Sequence, residues 1–309
     1  MELTRLPQSH DVSGNVDGRA GIDAELVQRL VAEQFPQWGH LPVMPVEDEG
    51  WDNRTYRLGA DMTVRLPTHA MYASAVAKEN QWLSVLAPQL PVRIPVPLAT
   101  GIPGQGYPFN WSIRPWIDGM TAAPHRIESM DAFAAAVAEF ILALQAIDPT
   151  GGPVAGAHSF YRGAVPAHYD DETRQAISAL GDRIDATRAL AVWDNALASV
   201  WHAPPRWFHG DIAQGNLLVR NGSLVGVIDF GTCGVGDPAC DLVIAWTFFR
   251  GSSRTVFRTA VSQDDGTWAR ARGWAMWKGL ITLAADPRGR WAAANHRLIN
   301  DLTVDATKR

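Results

Sequence analysis

Apolar and polar positions alternate through Met62-Thr63-Val64-Arg65-Leu66-Pro67, which predicts a strand with Arg65 on the face opposite Val64 and Leu66. Val43 to Val46 and Thr55 to Leu58 read as neighbouring strands, and Phe109 to Trp116 as the last strand of this region and a crossover. Between them, Leu90 to Pro97 is held extended by its prolines. Ala24 to Phe35 and Ala73 to Ala87 carry helical patterns. Further on, the alanine-rich apolar stretch Met130 to Ile147 predicts a helix that serves as the spine of the second half. One or two helices are expected within Thr173 to Val200, and two more at Asp264 to Ala284 and Arg290 to Ala306. Residues 1 to about 20 read as a loose tail, and Gly151 to Ala167 as a loop. Trp274, Trp277 and Leu280 recur at helical spacing, the pattern of a core face; a wall for a ring-bearing ligand is the sharper alternative.

One segment carries chemistry. After a short strand, Arg206-Trp207-Phe208, comes His209-Gly210-Asp211-Ile212-Ala213-Gln214-Gly215-Asn216. Two apolar strands follow, Leu217 to Val219 and Leu224 to Ile228, joined by the turn Arg220-Asn221-Gly222-Ser223 and ending at Asp229. Asp and Asn often do no more than cap turns. The spacing of Asp211 from Asn216, the hairpin and the second aspartate coincide here, and that layout suits phosphoryl transfer. Such a reaction needs an aligned alcohol and neutralised phosphate charge, with little covalent work by the protein. Asp211 is the expected catalytic group, accepting the hydroxyl proton late in the transfer. Asn216 and Asp229 offer oxygens to Mg2+, a hard cation whose other ligands would be water and phosphate. His209 is expected to hold backbone carbonyls rather than to react. Gly236-Asp237-Pro238 opens a predicted helix running through Leu242 to Phe249, with Asp237 as N-cap and Asp241 in the first turn, where negative charge suits the dipole.

Composition narrows the class. The chain has 309 residues, 47% hydrophobic and 19% charged, ample for two lobes. Its net charge of −5 argues against nucleic acid as the main partner. Only two cysteines are present, Cys233 and Cys240, too few for a disulfide framework or zinc cluster. There is no signal-like start and no apolar run of spanning length, so a cytoplasmic enzyme without a membrane partner is expected.

His209, Gly210, Asp211 and Asn216, then Ile228-Asp229, then Gly236-Asp237-Pro238-Ala239-Cys240-Asp241-Leu242 resemble the aminoglycoside phosphotransferase family, the antibiotic-kinase branch of the protein-kinase-like fold. The resemblance runs from about residue 40 to the final helices. It implies an α+β, two-lobed fold: an N-terminal nucleotide-binding lobe, 1–115, with an antiparallel sheet and a helix, and a mostly helical catalytic and acceptor-binding lobe, 116–309, carrying the catalytic hairpins. It implies ATP or GTP as donor and a small hydroxyl-bearing acceptor. Where kinases pair a strand lysine with a helix glutamate, this chain offers Arg65 and Glu79; Arg can grip phosphate and carboxylate together. Lys78 is a weaker substitute.

The loop Glu47 to Arg54 lies where the family covers the triphosphate. Asp52 departs from the small or hydroxyl residue usual there, so Asn53 is the better phosphate contact. Ile113 and Trp116 fall where adenine sits, and Asp241 is expected to buttress the catalytic loop. An aminoglycoside-like antibiotic is one acceptor, which would bring antibiotic resistance; macrolide, choline-like and sugar acceptors are the alternatives. Asp170, Asp171, Asp264 and Asp265 could bind substrate amines or merely cap helices. A catalytically weak nucleotide-binding module and a metal-dependent hydrolase are the competing classes, and the intact Asp211, Asn216 and Asp229 argue against the first.

Overall fold

The computed structural model of the chain describes residues 21–46 and 52–305, so the expected tail and the loop residues 47–51 lie outside the described residues. Two compact units divide the rest. One takes the chain up to Met120 together with Val225–Gly231; the other takes Thr121–Leu224 and everything from Thr232 onward. The architecture is a two-lobed α+β fold, with an antiparallel sheet and helices in the N-terminal lobe and a mostly helical C-terminal lobe.

In the N-terminal lobe, helix α1 (Ala24–Gln34) starts where the Asp23 side chain accepts from the Leu26 amide, and it buries Leu26, Val27, Leu30 and Val31. Strands β1 (Val43–Pro45), β2 (Asn53–Leu58) and β3 (Met62–Pro67) precede helix α2 (Ala70–Leu86), and β4 (Ala99–Gly101) and β5 (Trp111–Pro115) follow it. The sheet is antiparallel in the order β1-β2-β3-β5-β4. Its register sets Tyr56, Val64 and Ile113 side by side on the face that packs with α1, and Thr55, Arg65 and Ser112 together on the other. The two-residue period of β3 thus puts Arg65 opposite the core. The three residues of β4 are too few to show any alternation, and no strand is expected there from the pattern.

Beyond β6 (Met120–Thr121), the chain forms α3 (Met130–Ala146), α4 (Asp170–Leu180) and α5 (Ala186–Ala198), then β7 (Arg206–Phe208), β8 (Leu217–Arg220), β9 (Ser223–Val227) and β10 (Gly234–Gly236). Four helices complete it: α6 (Ile244–Thr247), α7 (Gly251–Val261), α8 (Asp265–Ala285) and α9 (Ala292–Asp305). β8 and β9 are joined at Asn221 and Gly222, both at positive φ, the turn that suits a tight hairpin. α3 packs against α7, whereas α8 contacts α4, α5 and α9. The central helix is therefore α8, not α3, and its near-continuous burial from Thr267 to Trp277 is why tryptophan concentrates there.

Two expectations change. The helix expected to open at Gly236-Asp237-Pro238 and run through Phe249 is instead a 3-10 stretch, Pro238–Val243, followed by the single turn of α6. The tighter turn accompanies a side chain, Asp241, that bonds backbone outside its own helix. α7 escapes the pattern because it buries only Ser253, Phe257 and Val261 on an otherwise polar sequence. Among the described residues, no helix is long and apolar enough to cross a membrane.

Candidate active site

In the C-terminal lobe, β7 delivers the chain to His209, and the residues that follow are held from behind. Asp241 is wholly buried. Its Oδ2 accepts from the His209 amide at 2.8 Å and its Oδ1 from the Gly210 amide at 2.7 Å. Burial pushes its carboxyl up to about 6, opposed by His209 and by those two amides. Gly210 has φ +87°, and a Cβ there would lie 2.8 Å from the Thr232 hydroxyl, so only glycine fits. The Thr232 hydroxyl donates to the His209 carbonyl at 2.9 Å. His209 is buried, and its Nδ1 accepts the Asp211 amide at 3.2 Å. Asp237 caps the 3-10 stretch through Ala239 and pairs with buried Arg270 at 2.6 Å.

Asp211 emerges from this frame with both carboxylate oxygens engaged. Asn216 Nδ2 donates to the Asp211 carbonyl at 2.9 Å and to its Oδ2 at 3.0 Å. Lys278, from α8, donates to Oδ1 at 2.8 Å. Burial would raise the Asp211 carboxyl, but Lys278, then Arg162 and His209, hold it down at about 2. Arg162 lies over Trp277 at 4.4 Å from the ring centroid. Trp277 itself stacks on Tyr169 and donates its Nε1 to Glu172 at 2.7 Å, and with Trp274 it is almost fully buried, so packing accounts for both tryptophans. Of the acids considered for substrate amines, Asp170 accepts from Trp193 and Arg174, and Asp264 caps α8. Asp171 and Asp265 are exposed.

Asp241→Asn should destabilise the protein by about 1–3 kcal/mol, because an amide has one acceptor oxygen for two buried backbone donors. Turnover should fall with it. Thermal melts and steady-state rates together check this, and an unchanged melting temperature would mean that Asp241 does not support the loop.

The second group of charges lies within the N-terminal unit. Arg65 Nη2 contacts Asp229 Oδ1 at 3.1 Å, and the guanidinium is 3.7 Å from Glu79 and 3.8 Å from Asp52. The expected Arg65–Glu79 pair is present, but it is the looser one. Glu79 is held bidentately by Arg114 of β5, at 2.6 and 3.1 Å, with Arg114 Nε on the Ser112 hydroxyl. Burial acts to raise Glu79, yet Arg114 and Arg65 keep it at about 2. Asp52 is pushed up to about 6 by burial and by Asp229, against the pull of Arg65. Lys78 donates to the Gly231 carbonyl at 2.7 Å. Asp229 adopts φ 67°, a left-handed conformation that aspartate tolerates better than most residues.

Three expected contacts sit differently. Asn53 is the buried first residue of β2, opposite Pro67, not part of an open loop. Ile113 is wholly buried in the sheet–α1 core, which explains it by packing and leaves no surface for a base. Trp116 is half-buried under the Arg57 guanidinium, 3.9 Å from its ring centroid. Arg114, Arg162 and Lys278 were missed from sequence. Arg114 had a signal, as the lone charge of an apolar strand where burial demands a partner; Lys278 had none, being one of several charges along α8.

Asn216 gives its Nδ2 to Asp211 and Asp229 accepts from Arg65 through Oδ1; each residue carries oxygens of the kind that a hard cation prefers. No group of three or more His, Cys, Asp or Glu side chains among the described residues could hold a metal unaided.

The sequence matches the profile of the phosphotransferase enzyme family over residues 45–274. No curated protein sequence matches it. Among solved structures, the GDP complex of aminoglycoside 2'-phosphotransferase-IIIa superposes with a TM-score of 0.67 at 17% identity, covering 92% of this chain and 99% of that one. The streptomycin–ATP ternary complex of APH(2")-IIa gives 0.59 at 18% identity, covering 91% and 96%. The macrolide 2'-phosphotransferase MphH from Brachybacterium faecium gives 0.58 at 21% identity, covering 90% and 98%. These likenesses establish a shared fold, and the profile match establishes kinship: the chain belongs to the aminoglycoside phosphotransferase family and is an enzyme that transfers a phosphoryl group to a hydroxyl-bearing acceptor.

Proposed function

We propose that the chain is a small-molecule kinase that moves the γ-phosphoryl group of ATP or GTP to an alcohol, with Asp211 as the group that receives the hydroxyl proton. The observation that supports this best is the Asp211–Asn216 pair, in which one amide nitrogen cross-links the backbone and the carboxylate of the reactive residue. A side chain held that way loses little freedom on meeting its substrate. Mg2+ bound through Asn216 and Asp229 would neutralise phosphate charge during transfer. Arg65 presents a permanent positive charge to the nucleotide phosphates, and Glu79 with Arg114 holds it in place. Asn53 and Trp116 are the further nucleotide contacts in this reading, and Ile113 acts through the core. The N-terminal lobe, 1–115, would handle the nucleotide, and 116–309 the acceptor.

The acceptor is a small hydroxyl-bearing molecule, and the aminoglycoside and macrolide enzymes among the similar structures mark the range to search. Action in the cytoplasm follows from the nucleotide donor, and resistance would follow only from an antibiotic acceptor. The test is nucleotide consumption by the purified chain with magnesium, against a panel of alcohols, with the phosphorylated product identified by mass. Phosphate released only to water would point to a hydrolase, and nucleotide bound without turnover to a binding module. Asp229→Asn should weaken magnesium-dependent nucleotide binding by at least about tenfold. Calorimetry that finds normal affinity would reject Asp229 as a metal ligand.

A further inference from the structure

Lys278 is the feature of the site that neither the motif nor the proposed chemistry requires. It comes from α8, sixty-seven positions after Asp211, and bonds Oδ1 at 2.8 Å while Asn216 takes Oδ2. Both side chains of the pair remain open to solvent, Lys278 at 44% and Asp211 at 36% of their side-chain surface. A second cation, Arg162, lies 4.4 Å over the ring centroid of Trp277, the residue next to Lys278 in α8. The protein therefore already supplies positive charge at the point where a hydroxyl must approach. An acceptor carrying an ammonium beside its reacting hydroxyl would have to displace Lys278 from Asp211 and then sit among like charges. An acceptor carrying an anion does the opposite, because it offers Lys278 another partner and so frees Oδ1.

We propose that the acceptor is an anionic alcohol, whose carboxylate or phosphate is held by Lys278 and Arg162 while Lys278 yields Oδ1 of Asp211 to the hydroxyl. This rests on the kinase reading above and names its substrate class. During transfer the acceptor oxygen bonds to the γ-phosphorus as the bond to the bridging oxygen breaks. The hydroxyl proton passes to Asp211, and the nucleoside diphosphate leaves. Of the four acids considered for substrate amines, Asp170 and Asp264 are committed to Trp193, Arg174 and the α8 cap, and Asp171 and Asp265 are exposed.

The test uses three matched pyranoses, glucuronate, glucose and glucosamine, with kanamycin as a polycation. Binding to the full-length protein is followed by calorimetry without nucleotide, so that it does not depend on turnover. The wild type should bind glucuronate roughly fivefold or more tighter than glucosamine and should reject kanamycin. Lys278→Met should reverse the order, because a bare Asp211 attracts ammonium, and Lys278→Arg should keep the wild-type order. A purely structural lysine would weaken all ligands alike and would not change their ranking. A wild type that prefers glucosamine or kanamycin, or that does not discriminate among the probes, overturns the proposal. So does a ranking unchanged in Lys278→Met. Failure of the kinase reading is seen separately, as full turnover in Asp211→Asn.

Discussion

Replacing Asp211 by asparagine should lower turnover by roughly 10²- to 10⁴-fold, the usual worth of a positioned proton acceptor. Nucleotide affinity and melting temperature should change little. The substitution preserves shape and keeps an oxygen for Asn216, so the frame built by Asp241, Gly210 and Thr232 should survive. What it removes is the charge that orients the hydroxyl and accepts its proton. A carboxyl held at about 2 by Lys278 is a weak base. It suits a transfer in which the proton becomes acidic only as the new bond to phosphorus forms. Single-turnover kinetics on wild type and variant separate this effect from binding, and equal rates would remove Asp211 from the chemistry.

The largest expected effect on stability is at Glu79. Glu79→Gln should cost about 3–5 kcal/mol, because it leaves the guanidinium of Arg114 buried without a counter-charge. Arg65 would lose one of its three acidic neighbours as well. The pH dependence has a definite sign. Glu79 ionises at about 2 in the folded protein against 4.5 ordinarily, so its contribution is fully present above pH 4.5 and is lost as pH falls toward 2. The difference in melting temperature between wild type and Glu79→Gln should therefore be constant from neutral pH down to about 5 and shrink below that. A gap that stays constant through that acid range would mean that the pair does not hold Glu79 ionised. Asp52 and Asp241 run the other way. Both are pushed up to about 6, so each favours the folded state less as pH rises through that value.

Much of the fold was legible where a period repeats. β3 has the bounds its alternation predicts, and α3 and α8 lie within one residue of theirs. Short or locally ambiguous pieces were not legible. β4 has three residues, α7 is polar over most of its surface, and the stretch after Asp237 winds as a 3-10 turn despite ordinary helix-start signals. Capping residues announce where a helix begins, but how tightly it winds depends on what its side chains must reach.

By itself the sequence determined the chemistry on offer: an aspartate, an asparagine and a second aspartate at set spacings, a strand that presents Arg65 away from the core, and membership of a kinase-like family. Those properties are local, set by spacing and by the two-residue period of a strand. Only the tertiary structure decided the partners. Glu79 closes more tightly on Arg114 than on Arg65, Ile113 turns into the core, and Lys278 reaches Asp211 from a helix near the end of the chain. Charged side chains choose partners by distance and burial, and both follow from how elements remote in sequence pack together.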